Sequence, residues 1–181
     1  ANNPIVAMVK LLDKLVSHQL DVGTKHFDPS TLAITSVDTG NKASNVIPAV
    51  TKAAVNIRFN DSHSGSSLVS WLKDEIEKVS AEYGIKFETD FKISGESFIT
   101  PPGELSDLIS KAVKQELGVT PKLSTTGGTS DARFIKDICP VTEFGLVGKT
   151  MHAVDEKVEI KQINQLKEIY SRVLEAYFEK A

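Results

Sequence analysis

Two stretches of close alternation, AAVNIRFN at 53–60 and IKFETDFKI at 85–93, constrain the fold of this chain more than any other feature. In the first, Ala53, Val55, Ile57 and Phe59 share one side, while Ala54, Asn56, Arg58 and Asn60 share the other. In the second, Ile85, Phe87, Phe91 and Ile93 face away from Lys86, Glu88, Asp90 and Lys92. A period of two gives each strand one apolar row, and that row must be covered. The cover is nearby. Ile5, Met8, Leu12, Leu15 and Val16 mark an amphipathic helix over 5–19, with Pro4 well placed in its first turn. Leu68, Leu72, Ile76 and Val79 mark a second helix, which stops at Gly84. Thr31 to Val37 adds a strand candidate, ended by Asp38-Thr39-Gly40. The order helix, strand, strand, helix, strand predicts a two-layer α+β sandwich. A ferredoxin-like unit needs one more strand ahead of the first helix, which would fall before Ala1. The chain opens Ala-Asn-Asn-Pro without Met, as a cut inside a longer protein would look; removal of an initiator Met gives the same start.

The pattern changes after Ser94-Gly95-Glu96. Thr100-Pro101-Pro102-Gly103 is a breaker cluster, and the expected division is one domain over 1–95 and a second segment over 96–181. The second segment reads as helices near 104–117 and 159–179 with strands near 121–124 and 139–145 between them. Leu166, Ile169, Tyr170, Val173, Leu174 and Tyr177 form the apolar stripe of the last helix. Two strands make too small a sheet to stand alone, so this half reads as a remnant of a larger α/β layer.

Composition excludes several classes. The 181 residues are 40% hydrophobic and 25% charged, as in an ordinary globular protein. A net charge of -3 with scattered basic residues argues against nucleic acid or an anionic membrane as partner. No apolar run approaches the length of a membrane span. The single cysteine, Cys139, precludes an internal disulfide, and no secretory signal opens the sequence, so a reducing cytoplasm is the expected compartment.

Polar chemistry concentrates between Ser124 and Glu156. Thr125-Thr126-Gly127-Gly128-Thr129-Ser130-Asp131 lies between a strand and a helix start, where glycines admit a ligand and free amides favour a carboxylate or phosphate. Ser130 or Asp131 serving simply as a helix cap is the alternative. His152 follows an apolar strand and precedes Asp155-Glu156. Imidazole suits zinc or cobalt, although a lone histidine is more often structural or solvated. His18, His26 and His63 read as surface residues. With neither an H-E-x-x-H pattern nor a cysteine pair, the chain is not expected to build a metal site alone. Arg58 on the polar strand face can clamp a carboxylate or pair with Glu88 or Asp90. Asn45 reads as a turn residue and Cys139 as packing. A Ser130–His152 nucleophilic arrangement lacks the G-x-S-x-G elbow it would need.

Three segments carry a family resemblance: Ser44-Asn45-Val46-Ile47-Pro48 running on to Arg58-Phe59, then Ser94-Gly95, then STTGGTSD-x-RFI with EFG and T-x-H. Together they resemble the C-terminal half of the succinyl-diaminopimelate desuccinylases, homodimeric two-metal amide hydrolases of the M20 peptidase clan. The resemblance extends over nearly the whole chain. It implies a ferredoxin-like two-layer dimerisation domain lacking its first strand, followed by the C-terminal part of an α/β metallopeptidase catalytic domain. It implies two divalent ions, zinc or cobalt, with His152 as one ligand. Asn45 and Arg58 are implied as substrate contacts reaching across the dimer, and Gly128 and Thr129 as a turn holding a carboxylate of a dicarboxylate amide substrate. No catalytic residue is implied within these 181 positions: the remaining ligands, the general-base glutamate and an oxyanion-stabilising histidine are expected upstream. Ala132 stands where the family usually has Gly. Gly148 stands where it usually has Asn, which removes one side-chain contact to substrate. Alternatives are a dimerising interaction module, or a deacetylase or dipeptidase of the same clan.

Overall fold

The computed structural model describes residues 2–125 and 130–179. It forms two compact units, Ala1–Phe98 and Ile99–Ala181.

In the first unit, helix α1 (Pro4–Ser17) starts at Asn3, whose side chain accepts the Ile5 amide at 3.0 Å. Its fully buried stripe is Ala7, Leu11 and Leu15, with Leu12 beside it. Val16, expected inside, is 50% exposed. Strands β1 (Thr31–Asp38) and β2 (Lys52–Arg58) pair antiparallel, from Thr31 opposite Arg58 to Asp38 opposite Lys52, with an irregularity between Ile34 and Ser36. Helix α2 (Gly65–Tyr83) begins with a reciprocal cap. Ser64 Oγ accepts the Ser67 amide at 3.1 Å, and Ser67 Oγ accepts the Ser64 amide at 3.0 Å. The helix ends at Gly84, whose φ of 62° is a left-handed conformation suited to glycine. Ala7, Leu11, Leu15, Leu72 and Val79 form the core, with Leu32 and Ile57 of the sheet packed against it. Helices over one apolar sheet face give the expected α+β layering.

The alternating stretch 85–93 does not form a strand. Its apolar row is nonetheless used: Ile85, Phe87 and Phe91 pack on the α1–α2 core. The backbone of Ile85 explains part of the difference. Its amide donates to the Ser80 carbonyl at 3.3 Å, and its carbonyl accepts the Ser80 hydroxyl at 2.7 Å, so both groups are tied to the end of α2. Burial fixes side-chain alternation; a ladder also needs a free backbone and a neighbour.

In the second unit, α3 (Glu104–Leu117) packs on α5 (Ile160–Phe178), with the short α4 (Ala132–Ile135) between them in sequence. Ile109, Ala112, Val113, Ile169 and Val173 make this core, supported by Leu105 and Phe144. The strands expected near 121–124 and 139–145 are absent among the described residues. Without a sheet at 139–145, Cys139 is exposed rather than packed. The outer part of the α5 stripe, Tyr170, Leu174 and Tyr177, is also exposed. Among the described residues no helix is long and apolar enough to cross a membrane.

Candidate functional site

His152 lies in a loop of consecutive turns. The Met151 amide donates to the Gly148 carbonyl at 3.2 Å, and the Ala153 amide to the Thr150 carbonyl at 3.0 Å. His152 therefore occupies the third position of a closed turn, a place where several turn types use positive φ. Its φ is 64°, and Asp155, three residues on, has φ 61°. Left-handed backbone costs a non-glycine residue roughly 1–2 kcal/mol, and local bonds offset it. The Thr150 hydroxyl donates to the Lys157 carbonyl at 2.8 Å and accepts the Lys157 amide at 3.0 Å. The Glu156 carboxylate accepts the His152 amide at 3.3 Å. The imidazole is exposed, with no hydrogen bond to either nitrogen among the described residues.

That ring is a suitable single ligand, and nothing nearby completes a site. No group of three or more His, Cys, Asp or Glu among the described residues could hold a metal. His26 and Asp28, whose H-x-D spacing is common in metal sites, join no such group either. One donor fits one corner of a metal centre and no more.

Asn45 sits in an exposed turn and lines a shallow depression with Asn3, Ile5, Asn41, Ser44 and Ile47. The turn is held from within, because the Asn41 amide group donates to the Val46 carbonyl at 2.7 Å and its Oδ1 accepts the Ala43 amide at 3.1 Å. Arg58 closes β2 on its exposed face beside Asn56, opposite Thr31. Its side chain has no ionic partner among the described residues; Glu88 pairs instead with Lys86 at 3.3 Å. Arg58 does not line the depression around Asn45. Gly128 and Thr129 lie outside the described residues. At their C-terminal flank, Ser130 Oγ accepts the Ala132 amide at 3.0 Å, whereas Asp131 makes no side-chain cap bond. Arg133 stacks over the Phe134 ring at 4.6 Å, and its Nε is buried without a hydrogen-bond partner among the described residues.

Sequence reasoning missed one polar cluster. Asp21 accepts the Gly23 amide at 2.7 Å, the Ser30 amide at 3.2 Å and the Asn60 side-chain amide at 2.7 Å. His63 Nε2 lies 3.1 Å from its other oxygen, which corrects the reading of His63 as a free surface residue. Asn60 is only 2% exposed, although the alternation placed it on the polar face. Burial pushes the Asp21 pKa up, but hydrogen bonds from Ser30, Gly23 and Asn60 outweigh it and hold the carboxyl well below the usual range. The contacts span about forty residues of sequence, so no local pattern revealed them. The cluster is a structural clasp between the loop after α1 and the turn before α2.

Residues 1–84 match the peptidase dimerisation domain of M20 type. The chain is 65% identical over 178 residues to the succinyl-diaminopimelate desuccinylase of Ruegeria pomeroyi, and 62% identical over 178 residues to that of Cereibacter sphaeroides. Each alignment takes in 98% of this chain and 47% of the relative, so the chain spans about half the length of the curated relatives it matches. The crystal structure of aminopeptidase PepT from Bacillus cereus shares the fold, with a TM-score of 0.71 at 18% identity over 96% of this chain and 45% of that one. Residues 1–84 are thus similar to the peptidase dimerisation domains of M20 type, and nearly the whole chain is similar to about half of a succinyl-diaminopimelate desuccinylase.

Proposed function

We propose that this chain works within a metal-dependent amide hydrolase that converts N-succinyl-LL-2,6-diaminopimelate to succinate and LL-2,6-diaminopimelate, in bacterial lysine synthesis. The observation that carries the reading is 65% identity to a desuccinylase across 98% of the chain. In that reaction water oxygen bonds to the amide carbonyl carbon, the C–N bond breaks, and the amine leaves with a proton. Two divalent ions, zinc or cobalt, supply an activated water and a polarised carbonyl when bound. Within this chain His152 offers one imidazole ligand to them. Arg58, exposed and without an ionic partner among the described residues, can bond a substrate carboxylate through two guanidinium N–H groups at once. Asn45 offers an amide at an exposed turn, and Gly128 and Thr129 are the second carboxylate contact. Residues 1–95 serve as dimerisation domain and 96–181 as part of the catalytic domain, in a cytoplasmic homodimer.

The 181-residue chain alone is inactive in this reading, since a lone imidazole does not hold a catalytic ion. The test compares the purified chain with the protein extended to the length of its relatives, both supplied with zinc or cobalt. Activity confined to the longer protein is expected, with acetylornithine and dipeptides as competing substrates to separate the clan's other chemistries. Metal-dependent desuccinylation by the 181-residue chain overturns the reading.

A second reading has its own support. The match to a dimerisation domain over residues 1–84 favours the isolated chain acting as a self-associating module. Each strand of its two-stranded sheet has an outer edge without a ladder partner among the described residues. Sedimentation distinguishes the cases, because a monomer at high concentration counts against self-association.

A further inference from the structure

We infer that a second copy of this chain docks on the outer face of α1 and the open part of β1, with the two α1 helices antiparallel. The inference rests on the self-association reading proposed above, which names no surface. Residues 1–84 match a dimerisation domain, which makes a second copy the fitting occupant of an open apolar face in this unit.

The open apolar surface of the two helices and the sheet lies on one side. Val6, Val9 and Val16 of α1 are exposed, Val9 by 56%. With Asp13 between Val9 and Val16, their spacing puts all four on one stripe of the helix, opposite the buried Ala7, Leu11 and Leu15. The strand that α1 packs against continues this side. Ile34 and Val37 of β1 are exposed, Val37 by 53%, although they stand opposite Val55 and Ala53 in the row that faces the helices. The α2 side offers nothing comparable. Neither α2 nor β2 exposes a large apolar side chain among the described residues. The open face of α2 is mainly serine and charge, from Ser66 and Ser70 to Lys73, Asp74 and Glu77. Contiguous exposed apolar side chains of this kind mark an interaction surface.

The α1 stripe is also complementary to itself. A two-fold axis at the middle of the helix brings Val6 of one copy toward Val16 of the other, and Asp13 of one beside Lys10 of the other. The valines then form the dry centre of the contact, and the Asp13–Lys10 pairs form its charged rim.

The test is sedimentation equilibrium of the 181-residue chain and its variants over a range of concentrations. Val9→Lys and Val16→Lys each set a charge in the apolar stripe. Each is expected to weaken dimerisation about tenfold or more, since a two-fold interface carries every change twice. Both sites are exposed in the single chain, so urea midpoints of dilute, monomeric samples are expected to match the unsubstituted chain. Ser70→Lys, on the open face of α2, is expected to leave dimerisation unchanged. Asp13→Lys is expected to weaken dimerisation at low salt, and Lys10→Asp in the same chain to restore it. An unsubstituted chain that stays monomeric at high concentration overturns the self-association reading and the inference with it. A dimer that tolerates both Val9→Lys and Val16→Lys overturns the α1 face alone. So does one that Ser70→Lys weakens as strongly, or one in which Lys10→Asp fails to rescue Asp13→Lys.

Discussion

Asp21 shows how much a single buried carboxylate can organise. Its oxygens collect donors from Gly23, Ser30, Asn60 and His63, drawn from two separate segments. Truncating Asn60 to Ala removes two donated bonds, to Asp21 at 2.7 Å and the Asp28 carbonyl at 3.1 Å. The expected loss is about 2 kcal/mol in urea unfolding. Asn60→Asp is expected to be worse, because it sets a second carboxylate against Asp21 in a buried place. The pH dependence follows from the sign of the Asp21 shift. Its folded pKa is depressed, so the contribution is fully present above the unfolded value of roughly 4 and is lost as pH falls through the folded value. Asp21→Asn is therefore expected to flatten the stability profile below about pH 4, measured by chemical unfolding at stepped pH.

At the scale of elements, the start of α2 is fixed by a residue far along the chain. The Gly65 amide donates to both Glu96 carboxylate oxygens, each at 3.1 Å, which places negative charge at a helix N-terminus. Glu96→Ala is expected to cost about 1 kcal/mol, and less in high salt. Gly65 itself is confined. A Cβ there would lie 2.7 Å from Ile93 Cγ2, so Gly65→Ala must displace Ile93 or the helix start. Thermal unfolding of both variants checks the pair. In the second unit, Ile169 is 2% exposed at the centre of the α3–α5 contact, and Ile169→Ala is expected to cost roughly 2–5 kcal/mol by denaturant titration.

For the whole molecule, the units differ in completeness. Among the described residues, Ala1–Phe98 has helices over a sheet, whereas Ile99–Ala181 has the α3–α5 core without a sheet and leaves Tyr170, Leu174 and Tyr177 of the α5 stripe exposed. A purified chain is accordingly expected to bind a hydrophobic dye more strongly than the protein extended to the length of its relatives; equal binding contradicts this. Periodicity in the sequence was enough to place α1, α2, α5 and β2, because each buries one face and the spacing of apolar residues records which one; α3 and β1 also lie where the sequence placed them, although β1 leaves every residue but Leu32 exposed. The same reasoning failed at 85–93, 121–124 and 139–145. Alternation records burial, but a strand exists only when a neighbour accepts its backbone bonds, and that neighbour is decided in three dimensions. The sequence also singled out His152 and Arg58 as chemistry-bearing residues by type. Only the folded chain revealed the positive φ of His152, its loop clasp at Thr150 and Glu156, and the Asp21–Asn60–His63 cluster. These depend on hydrogen-bond directions and on contacts between distant segments, which residue spacing does not encode.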